Sequence, residues 1–484
     1  MLGLADEGHA LPVLLGAPDS WRLLDVVSRF LRRPVKPILA RPAHVHAAIN
    51  AAYQERQGQT QRLLDTLDRE SVLSALEQLS SHEDLLDTEN RAPVVQLVNL
   101  ILFDAIKARA SDVHVQPRED EVVVRFRIDG VLFDTFHLPK ILQEEILSRI
   151  KIIGRMNIAE KRLPQDGRAT VEMGDRLIDL RIASLPSSHG ERIVLRLLDK
   201  SARLYTLDEL GMDSARLDVF RRLICLEHGM ILVTGPTGSG KSTTLYAALQ
   251  AINTIDRNVL TLEDPIEYQL EGVSQTQVNE KKGLTFAKGL RNVLRQDPDI
   301  IMVGEIRDQE TAVMAIQSAL TGHLVFSTLH TNDAASAVTR LLDLGIEPYL
   351  LASSLSAVLA QRLVRRICPE CVEPYVPDQS EVRSLGLADG GEPVPTLWRG
   401  RGCDSCRRSG YRERLGVFEL LLVNDAVRIQ IQSRANATDI RNTAVANGTK
   451  LLHEDCREKL LAGKTTAEEV ARISPHSQAI QAAE

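Results

Sequence analysis

The sequence predicts an α/β protein whose largest domain is built on a mostly parallel β-sheet. One observation is that strand-like apolar runs alternate with helix-like segments between Met230 and about Leu363. Alternating β and α signals imply parallel strands with helices on both faces of the sheet. The second observation is that the first run, Met230 to Thr234, leads through a glycine-rich turn into a helix-forming segment, Thr243 to Gln250. Such strand, turn and helix units are the parts from which these sheets are built.

The composition limits the class of protein. A chain of 484 residues is too long for one core, and typical domain sizes suggest roughly two to four domains. With 44% hydrophobic and 25% charged residues, the chain is typical of soluble globular proteins. The net charge of −7 argues against a protein whose main work is coating nucleic acid. We therefore expect no nucleic-acid partner.

No segment has the pattern of a membrane span or an export signal. No run approaches the roughly 18 to 20 apolar residues that a bilayer requires. The opening residues, MLGLADEGHA, are acidic rather than basic and are not followed by an apolar stretch, unlike a secretory signal. We therefore expect a cytoplasmic protein whose membrane association, if any, comes through a partner.

The chain in front of the predicted sheet divides into three parts. Residues 1–75 show helical periodicity broken by proline and glycine, which predicts a small helical N-terminal domain. Because this segment has no catalytic constellation, we expect it to dock partners. Residues 76–91 are polar and predict a linker. Residues 92–200 predict an α+β domain, because a helix pattern is followed by alternating strands and an Asp129-Gly130 turn.

The remaining boundaries follow similar changes of pattern. Residues 201–213 form a predicted connector, and residues 214–366 form the α/β core. Residues 367–410 are a cysteine-bearing insert, and residues 411–484 are a predicted C-terminal helical region. We find no internal repeats or low-complexity tracts.

A phosphate-binding loop follows the first strand of the core. It matches the pattern G-x-x-x-x-G-K-[ST] and lies between a strand and a helix. Glycines let backbone N–H groups surround phosphate oxygens at the positive end of the next helix. Lys241 is expected to reach the β and γ phosphates of ATP, and Ser242 to bind Mg²⁺. The residues predicted to contact the nucleotide are Gly235, Pro236, Thr237, Gly238, Ser239, Gly240, Lys241, Ser242 and Thr243.

Hydrolysis requires a second group that activates water. The apolar run Ile300 to Val303 ends in Gly304-Glu305. It occupies the position of a Walker B strand, but glycine stands where an aspartate usually directs Mg²⁺. Glu305 is therefore the candidate for the water-activating carboxylate, with Mg²⁺ held by Ser242, phosphate oxygens and water. The alternative is that Glu305 has no catalytic role and is a solvated glutamate at the end of a strand.

Four of the six cysteines form two Cys-x-x-Cys pairs, Cys368/Cys371 and Cys403/Cys406. In a reducing compartment, paired spacing favours a metal over disulfides. Two such pairs suit a closed tetrahedral site in which four thiolates hold Zn²⁺. The gap of 31 residues between the pairs is longer than in common zinc ribbons. Free thiols are the alternative.

Two further boxes complete a set of four motifs. An acidic box, Thr261-Leu-Glu263-Asp264-Pro-Ile-Glu267-Tyr268, lies between the two strands, and a histidine box, Gly322-His323-Leu-Val-Phe-Ser-Thr328-Leu-His330-Thr-Asn332, follows them. This order of motifs resembles the secretion ATPase superfamily over about Ala92 to Leu421. The segments before Ile300 and before Cys368 look most like the E-component of type II secretion systems. The pilus-extension ATPases are close behind, and the cysteine insert is similar in both.

The resemblance implies a fold and roles for residues in both boxes. It implies a RecA-like P-loop domain preceded by a PAS-like α+β domain. In the acidic box, Glu263, Asp264 and Glu267 would orient water that is bound to Mg²⁺ or attacks the phosphate. In the histidine box, His330 would sense the γ-phosphate or Glu305, and His323 matches a second histidine of the family.

Arginines are a third group that the resemblance implies. Arg181 and Arg196 of the α+β domain, with Arg291 and Arg295 before the second strand, match residues that approach the nucleotide phosphates in similar ATPases. Their fixed charge would stabilise the transferring γ-phosphoryl group as arginine fingers do. Strand alternation places Arg181 and Arg196 on a polar face. Taken alone, each of the four is equally consistent with a surface ion pair.

The resemblance also implies an assembly. It implies a homohexamer that binds ATP, Mg²⁺ and structural Zn²⁺ and whose domains change their angle during hydrolysis. Its partners would be inner-membrane secretion platform proteins, the cytoplasmic domain of the L-component and the F-component. Through them the hexamer would drive pseudopilin assembly indirectly.

Three other functions stay open at this level. An extension ATPase of a type IV pilus would use the same chemistry on a different machine. A DNA-translocating motor or helicase would share the phosphate loop. A regulatory module would bind nucleotide without turnover, and measured hydrolysis would exclude it.

Overall fold

The computed structural model describes residues 93–173, 176–199, 204–385, 387 and 394–473, together with residues 2–3, 11–15, 21, 24, 28–29 and 34–41 near the amino terminus. The chain divides into two compact units, Met1–Leu198 and Asp199–Glu484. The linker expected over residues 76–91 lies outside the described residues, as do residues 42–75, 201–203 and 474–484 of other predicted segments.

The described residues near the amino terminus form a small sheet. Strand β2 (Leu11–Leu15) pairs antiparallel with β1 (Leu2–Gly3) and parallel with β3 (Val35–Leu39). Side chains of Val13 and Leu15 are buried. The prediction of a helical domain is wrong for these strands. Five-residue apolar runs do not distinguish strand from helix by periodicity, and the proline within β2 and within β3 disfavours a helix interior.

The rest of the first unit is a six-stranded antiparallel sheet with helices on one face. Its strand order is β6-β5-β4-β9-β8-β7. The elements are α1 (Pro93–Lys107), β4 (Asp112–Pro117), β5 (Glu121–Ile128), β6 (Val131–Pro139), α2 (Gln143–Ile153), β7 (Gln165–Met173), β8 (Arg176–Ser187) and β9 (Gly190–Asp199). The β5–β6 turn contains Asp129 and Gly130 at φ of 48° and 87°, as the tight hairpin predicted there requires. Leu97 and Ile101 of α1 pack with Ile146 of α2 in the core.

The second unit contains the predicted α/β sheet. Its strand order is β12-β11-β13-β14-β10-β15-β18, and every neighbouring pair is parallel except β15 and β18. The strands of this sheet are β10 (Gly229–Thr234), β11 (Val259–Glu263), β12 (Ser274–Gln277), β13 (Ile300–Val303), β14 (Leu324–Leu329), β15 (Leu355–Ile367) and β18 (Tyr411–Leu422). Strands β16 (Val372–Tyr375) and β17 (Leu397–Gly400) pair antiparallel in a separate two-stranded sheet. The α/β fold class is thereby confirmed.

Helices cover both faces of this sheet. Every residue of β10, β13 and β14 is buried, as expected for parallel strands between two helical layers. Ile231 and Val233 contribute to one core, whereas Met230 and Leu232 contribute to the other. The helices are α3 (Ser214–Ile224), α4 (Lys241–Ile252), α5 (Phe286–Val293), α6 (Gln309–Leu320), α7 (Ala334–Asp343), α8 (Pro348–Ser354), α9 (Gln379–Ser384), α10 (Asp425–Gln432), α11 (Ala437–Ala446), α12 (Leu452–Leu461) and α13 (Ala467–Ile473).

Two segments differ from the predicted secondary structure. Leu207 and Leu210 of the predicted connector are buried in the core of the second unit. Tyr411–Leu422, predicted as part of a helical region, is instead the edge strand β18. Residues 416–421 of β18 are all buried, including Glu419, so this part of the strand shows no alternation of buried and exposed side chains. The described residues after β18 are helical, in agreement with the prediction.

The sheet brings the sequence motifs to one edge. The phosphate loop follows β10, the acidic box begins at the end of β11, Gly304 follows β13, and His330 follows β14. These four strands are neighbours in the order β11-β13-β14-β10. Their carboxyl ends therefore meet at one edge, where α/β proteins bind ligands.

Candidate active site

The phosphate loop has a backbone that glycine permits. Gly235, Gly238 and Gly240 have φ of 151°, 78° and 90°. A Cβ atom added to Gly235 would lie 2.3 Å from the main-chain oxygen of Gln361 on β15. Helix α4 begins directly after the loop, at Lys241, so its free N–H groups face the same space. This arrangement suits phosphate groups.

Lys241 lies inside the loop. Its side chain is largely buried, and its Nζ donates to the main-chain oxygens of Gly235 at 2.7 Å and Pro236 at 3.1 Å. Burial lowers the pKa of Lys241 to about 8, although the charge of Glu305 acts in the opposite direction. The ammonium group is therefore charged at neutral pH and is available to phosphate oxygens.

Two serine hydroxyls of the loop fit the nucleotide and its metal. Ser242, in the first turn of α4, is exposed, so its hydroxyl is accessible to Mg²⁺. Ser239 is buried, and its Oγ has no hydrogen-bond partner among the described residues. A buried hydroxyl without a partner is uncommon and indicates a bound group. The donors of the loop therefore fit a nucleotide phosphate with Mg²⁺.

Glu305 lies near Lys241, and its carboxylate has Arg307 and His330 as neighbours. Its side chain is 15% exposed, one carboxylate oxygen is paired with Arg307, and the other lies 3.5 Å from Nε2 of His330. Burial and the charge of Lys241 lower the pKa of His330, although Glu305 raises it. His330 is therefore neutral at pH 7 and acts near Glu305 as a hydrogen-bonding group rather than a fixed charge.

A steric constraint explains why glycine precedes Glu305. A Cβ atom on Gly304 would lie 3.1 Å from the main-chain oxygen of Leu262 and 3.4 Å from Cα of Glu263. The N–H of Gly304 donates to that same oxygen at 2.7 Å. This close approach of β13 to β11 disfavours the aspartate found at the usual Walker B position.

The acidic box separates into a buried residue and two accessible ones. Glu263 is buried and accepts hydrogen bonds from Thr261 Oγ1 at 2.5 Å, from Gln275 Nε2 at 3.0 Å and from the hydroxyl of Tyr246. Asp264 is exposed and Glu267 is half-buried. Glu263 is thus held by protein donors, whereas Asp264 and Glu267 are accessible to water.

His323 does not join this site. It precedes β14, whereas His330 follows it. Six residues of strand span roughly 16 to 20 Å, so the two histidines lie at opposite edges of the sheet. Nδ1 of His323 lies 2.9 Å from the main-chain oxygen of Ser318, a local contact at that edge. Loops before and after a strand emerge at opposite edges of the sheet, so His323 lies away from Glu305 while His330 lies beside it.

Arg291, Arg295 and Arg196 have partners within their own units. Arg291 pairs with Glu310 at 2.5 Å, and Arg295, in the turn after α5, contacts Asn292 of that helix. Arg196 pairs with Asp112 at 3.1 Å. Arg181 lies between Leu180 and Ile182, two core residues of β8, as alternation predicts. The approach of these arginines to nucleotide phosphates stays a prediction.

Sequence reasoning missed several residues of the site. Arg307 lies two positions beyond Glu305, and its cationic side chain in G-E-I-R-D was a usable signal. Tyr246 and Gln275 contact Glu263, and Thr244 donates to Gln361 at 2.7 Å. These contacts join segments that are distant in sequence, so no local pattern indicated them.

The four paired cysteines form one cluster. Their sulfur atoms all lie within 4.8 Å of one another. Sγ of Cys368 lies 3.8 Å from that of Cys403, and Cys371 lies 3.8 Å from Cys406. Four thiolates around Zn²⁺ at about 2.3 Å have sulfur–sulfur edges of about 3.8 Å. The cluster therefore has the dimensions of a closed tetrahedral zinc site and not of disulfides.

Backbone groups support thiolates in this cluster. Burial opposes ionisation of Cys406, but the N–H groups of Cys403 at 3.1 Å and Gly410 at 3.3 Å lower its pKa to about 7. Burial raises the pKa of Cys371 to about 12, although the N–H of Gly402, which donates to its Sγ at 3.3 Å, acts in the opposite direction. Hydrogen bonds to sulfur of this kind support metal-bound thiolates.

Replacing Cys403 with serine is expected to remove the bound zinc and to lower Tm by about 5 °C or more, because a structural metal contributes folding free energy. Elemental analysis and thermal unfolding of the purified chain measure both effects. Cys225→Ser, which changes an exposed cysteine outside the cluster, is the matched control. Equal zinc content and an unchanged Tm in Cys403→Ser would contradict a structural zinc site.

No helix among the described residues is long and apolar enough to cross a membrane.

A glycine-rich loop before α4, with Glu305 and His330 at the ends of neighbouring parallel strands, defines a P-loop nucleotide-binding protein. Residues 87–472 match the model of the family described as type II/IV secretion system protein. The chain belongs to this family.

Similar proteins agree with this assignment. The chain is 48% identical over 463 residues to the type II secretion system ATPase E of Vibrio cholerae, covering 95% of this chain and 92% of that one. It is 50% identical over 428 residues to the type II secretion system protein E of Pseudomonas aeruginosa, covering 88% and 85%. Its fold is similar to that of the pilus retraction motor PilT with bound ADP, at a TM-score of 0.53 and 26% identity, covering 79% and 98%.

Proposed function

We propose that this chain hydrolyses ATP and that hydrolysis powers protein export by a type II secretion system. The observation that carries the proposal is the convergence of Lys241, Glu305 and His330 at neighbouring strand ends. A phosphate-binding cation opposite an anchored carboxylate is what phosphoryl transfer to water requires. Relatives that are 48% and 50% identical carry type II secretion names, which favours secretion over a pilus machine.

Each residue of the site has a part in the proposed reaction. Gly235 to Thr243 surround the phosphates, and Lys241 neutralises charge on the β and γ groups. Mg²⁺, held by Ser242, phosphate oxygens and water, supplies further charge neutralisation. Glu305 orients the attacking water and accepts its proton, and neutral His330 donates a hydrogen bond beside it.

Other residues support this centre. Glu263 orients the acidic box from its buried position, while Asp264 and Glu267 bind water near Mg²⁺. Arg181 and Arg196 stabilise the γ-phosphoryl group during transfer. The cysteine cluster holds Zn²⁺ as a structural ion.

The proposed assembly is a cytoplasmic homohexamer attached to the inner membrane through partners. Different contacts in the ATP and ADP states favour different conformations of the chain, which is how binding energy becomes motion. Residues 1–75 dock on platform proteins, the L- and F-components, which raise pseudopilin subunits. The docking role of residues 1–75 rests on family membership and on the lack of an evident catalytic motif before residue 92.

The proposal is tested by capture and by stimulation of activity. The full-length chain, immobilised, is expected to capture secretion platform proteins from solubilised inner membranes, and these proteins are expected to stimulate its ATPase activity. A chain that lacks residues 1–75 is the control and is expected to lose capture while retaining basal hydrolysis. Capture of pilus proteins instead, or stimulation by DNA but not by membrane proteins, would contradict the proposed machine.

A further inference from the structure

Thr234 occupies a special place between two motifs. It is the last residue of β10, directly before Gly235, and its side chain is fully buried. In the parallel ladder its partner is Leu329, the last residue of β14, which directly precedes His330. A buried hydroxyl requires hydrogen-bond partners. The partners of Thr234 all belong to the segment around His330.

The hydrogen bonds hold the residues on both sides of His330. The backbone N–H of Thr331 donates to Oγ1 of Thr234 at 3.0 Å. Oγ1 of Thr331 lies 2.8 Å from Oγ1 of Thr234 and donates to the main-chain oxygen of Asp333 at 3.0 Å. Oγ1 of Thr234 also lies 3.1 Å from the main-chain oxygen of Leu329. The Thr234 hydroxyl thus continues the hydrogen bonding between β10 and β14 beyond their last backbone pair.

These contacts restrict the position of His330. Its backbone is fixed at the residue before it and at the residue after it, while its ring lies 3.5 Å from a Glu305 oxygen. That distance is at the edge of hydrogen bonding, so a small displacement of the segment decides whether the contact exists. Catalytic groups must be held to within roughly 0.5 Å of their working geometry.

We propose that Thr234 is a positioning residue, which holds His330 beside Glu305 through hydrogen bonds to the residues flanking His330 and so ties the histidine to the phosphate loop. The inference rests on the proposed function, in which His330 takes part in hydrolysis. Thr234 itself has no contact with the carboxylate, so it acts through His330.

The test is a double-mutant cycle on the full-length chain. Thr234→Val keeps the shape of the side chain and removes the hydroxyl, whereas Thr234→Ser keeps the hydroxyl. We expect Thr234→Val to lower kcat by about ten- to a hundredfold, the effect of a misplaced catalytic group, with a smaller change in KM. Thr234→Ser is expected to restore most of kcat. In a His330→Ala background, Thr234→Val is expected to cause no further loss, because the residue that it positions is already absent.

The outcomes separate the inference from the function on which it rests. Unchanged kcat in His330→Ala would overturn the role of His330 itself. If kcat falls in His330→Ala but is unchanged in Thr234→Val, only the inference about Thr234 is overturned. The same holds if the two reductions in kcat multiply in the double mutant. If Thr234→Val does not fold, Thr331→Ala removes the partner hydroxyl from a half-buried position and must show the same loss of kcat and the same dependence on His330.

Discussion

Replacing Glu305 with glutamine is expected to lower kcat for ATP hydrolysis by about 10²- to 10⁴-fold, the usual contribution of a general base. Glutamine keeps the size of the side chain but cannot accept the proton of the attacking water. Because Glu305 does not belong to the phosphate loop, affinity for ATP is expected to change little. Phosphate release and equilibrium binding of a fluorescent ATP analogue measure the two quantities.

Two controls define what a slow Glu305→Gln enzyme means. Glu347→Gln removes an exposed carboxylate whose partner is Arg434, away from the site, and is expected to leave kcat unchanged. Arg307→Ala removes the ion pair while keeping the carboxylate. A loss in Arg307→Ala as large as that in Glu305→Gln would assign the effect to the ion pair and contradict a basic role for Glu305.

Replacing Lys241 with alanine is expected to reduce kcat/KM by about 10²- to 10³-fold, the effect of losing one charge-stabilising donor in a water-excluded site. Unlike Glu305→Gln, this change is also expected to weaken ATP binding, because the buried ammonium contacts phosphates before and during transfer. Steady-state kinetics and equilibrium binding measure both effects. Lys107→Ala, at the exposed end of α1, is the matched control, and tight ATP binding by Lys241→Ala would contradict the assignment.

The lowered pKa of Lys241 adds a pH dependence. Burial brings this pKa to about 8 in the folded chain. Below that value the side chain is charged and binds phosphate, and above it the charge is progressively lost, so ATP affinity is expected to fall as pH rises from about 8 to 10. Binding measured over that range tests the direction, and an affinity that rises with pH would contradict it.

Motifs whose chemistry is local were predicted well from the sequence. The phosphate loop, its strand and its helix have the predicted order, and three loop glycines adopt positive φ. The two cysteine pairs form one four-sulfur cluster. In the phosphate loop and within each cysteine pair, the residue types and their short spacing specify the geometry, because the backbone between them has few conformations.

Elements defined by short apolar runs were predicted poorly. Residues 411–484 were predicted to be helical, but Tyr411–Leu422 pairs antiparallel with β15 and is a strand. His323 and His330 belong to one sequence motif but lie at opposite edges of the sheet for a topological reason. A motif that spans a parallel strand divides its residues between opposite edges of the sheet.

The sequence by itself determined the α/β fold class, the phosphate loop, the candidate base and the four-cysteine cluster. Only the tertiary structure decided which groups meet at the site. The deciding contacts are between side chains. Glu305 contacts Arg307 and His330, Glu263 contacts Tyr246, and Thr234 contacts Thr331, which is 97 residues away along the chain. Local patterns encode conformation, whereas such contacts depend on how the strands order themselves in the sheet, which is set by burial over the whole domain.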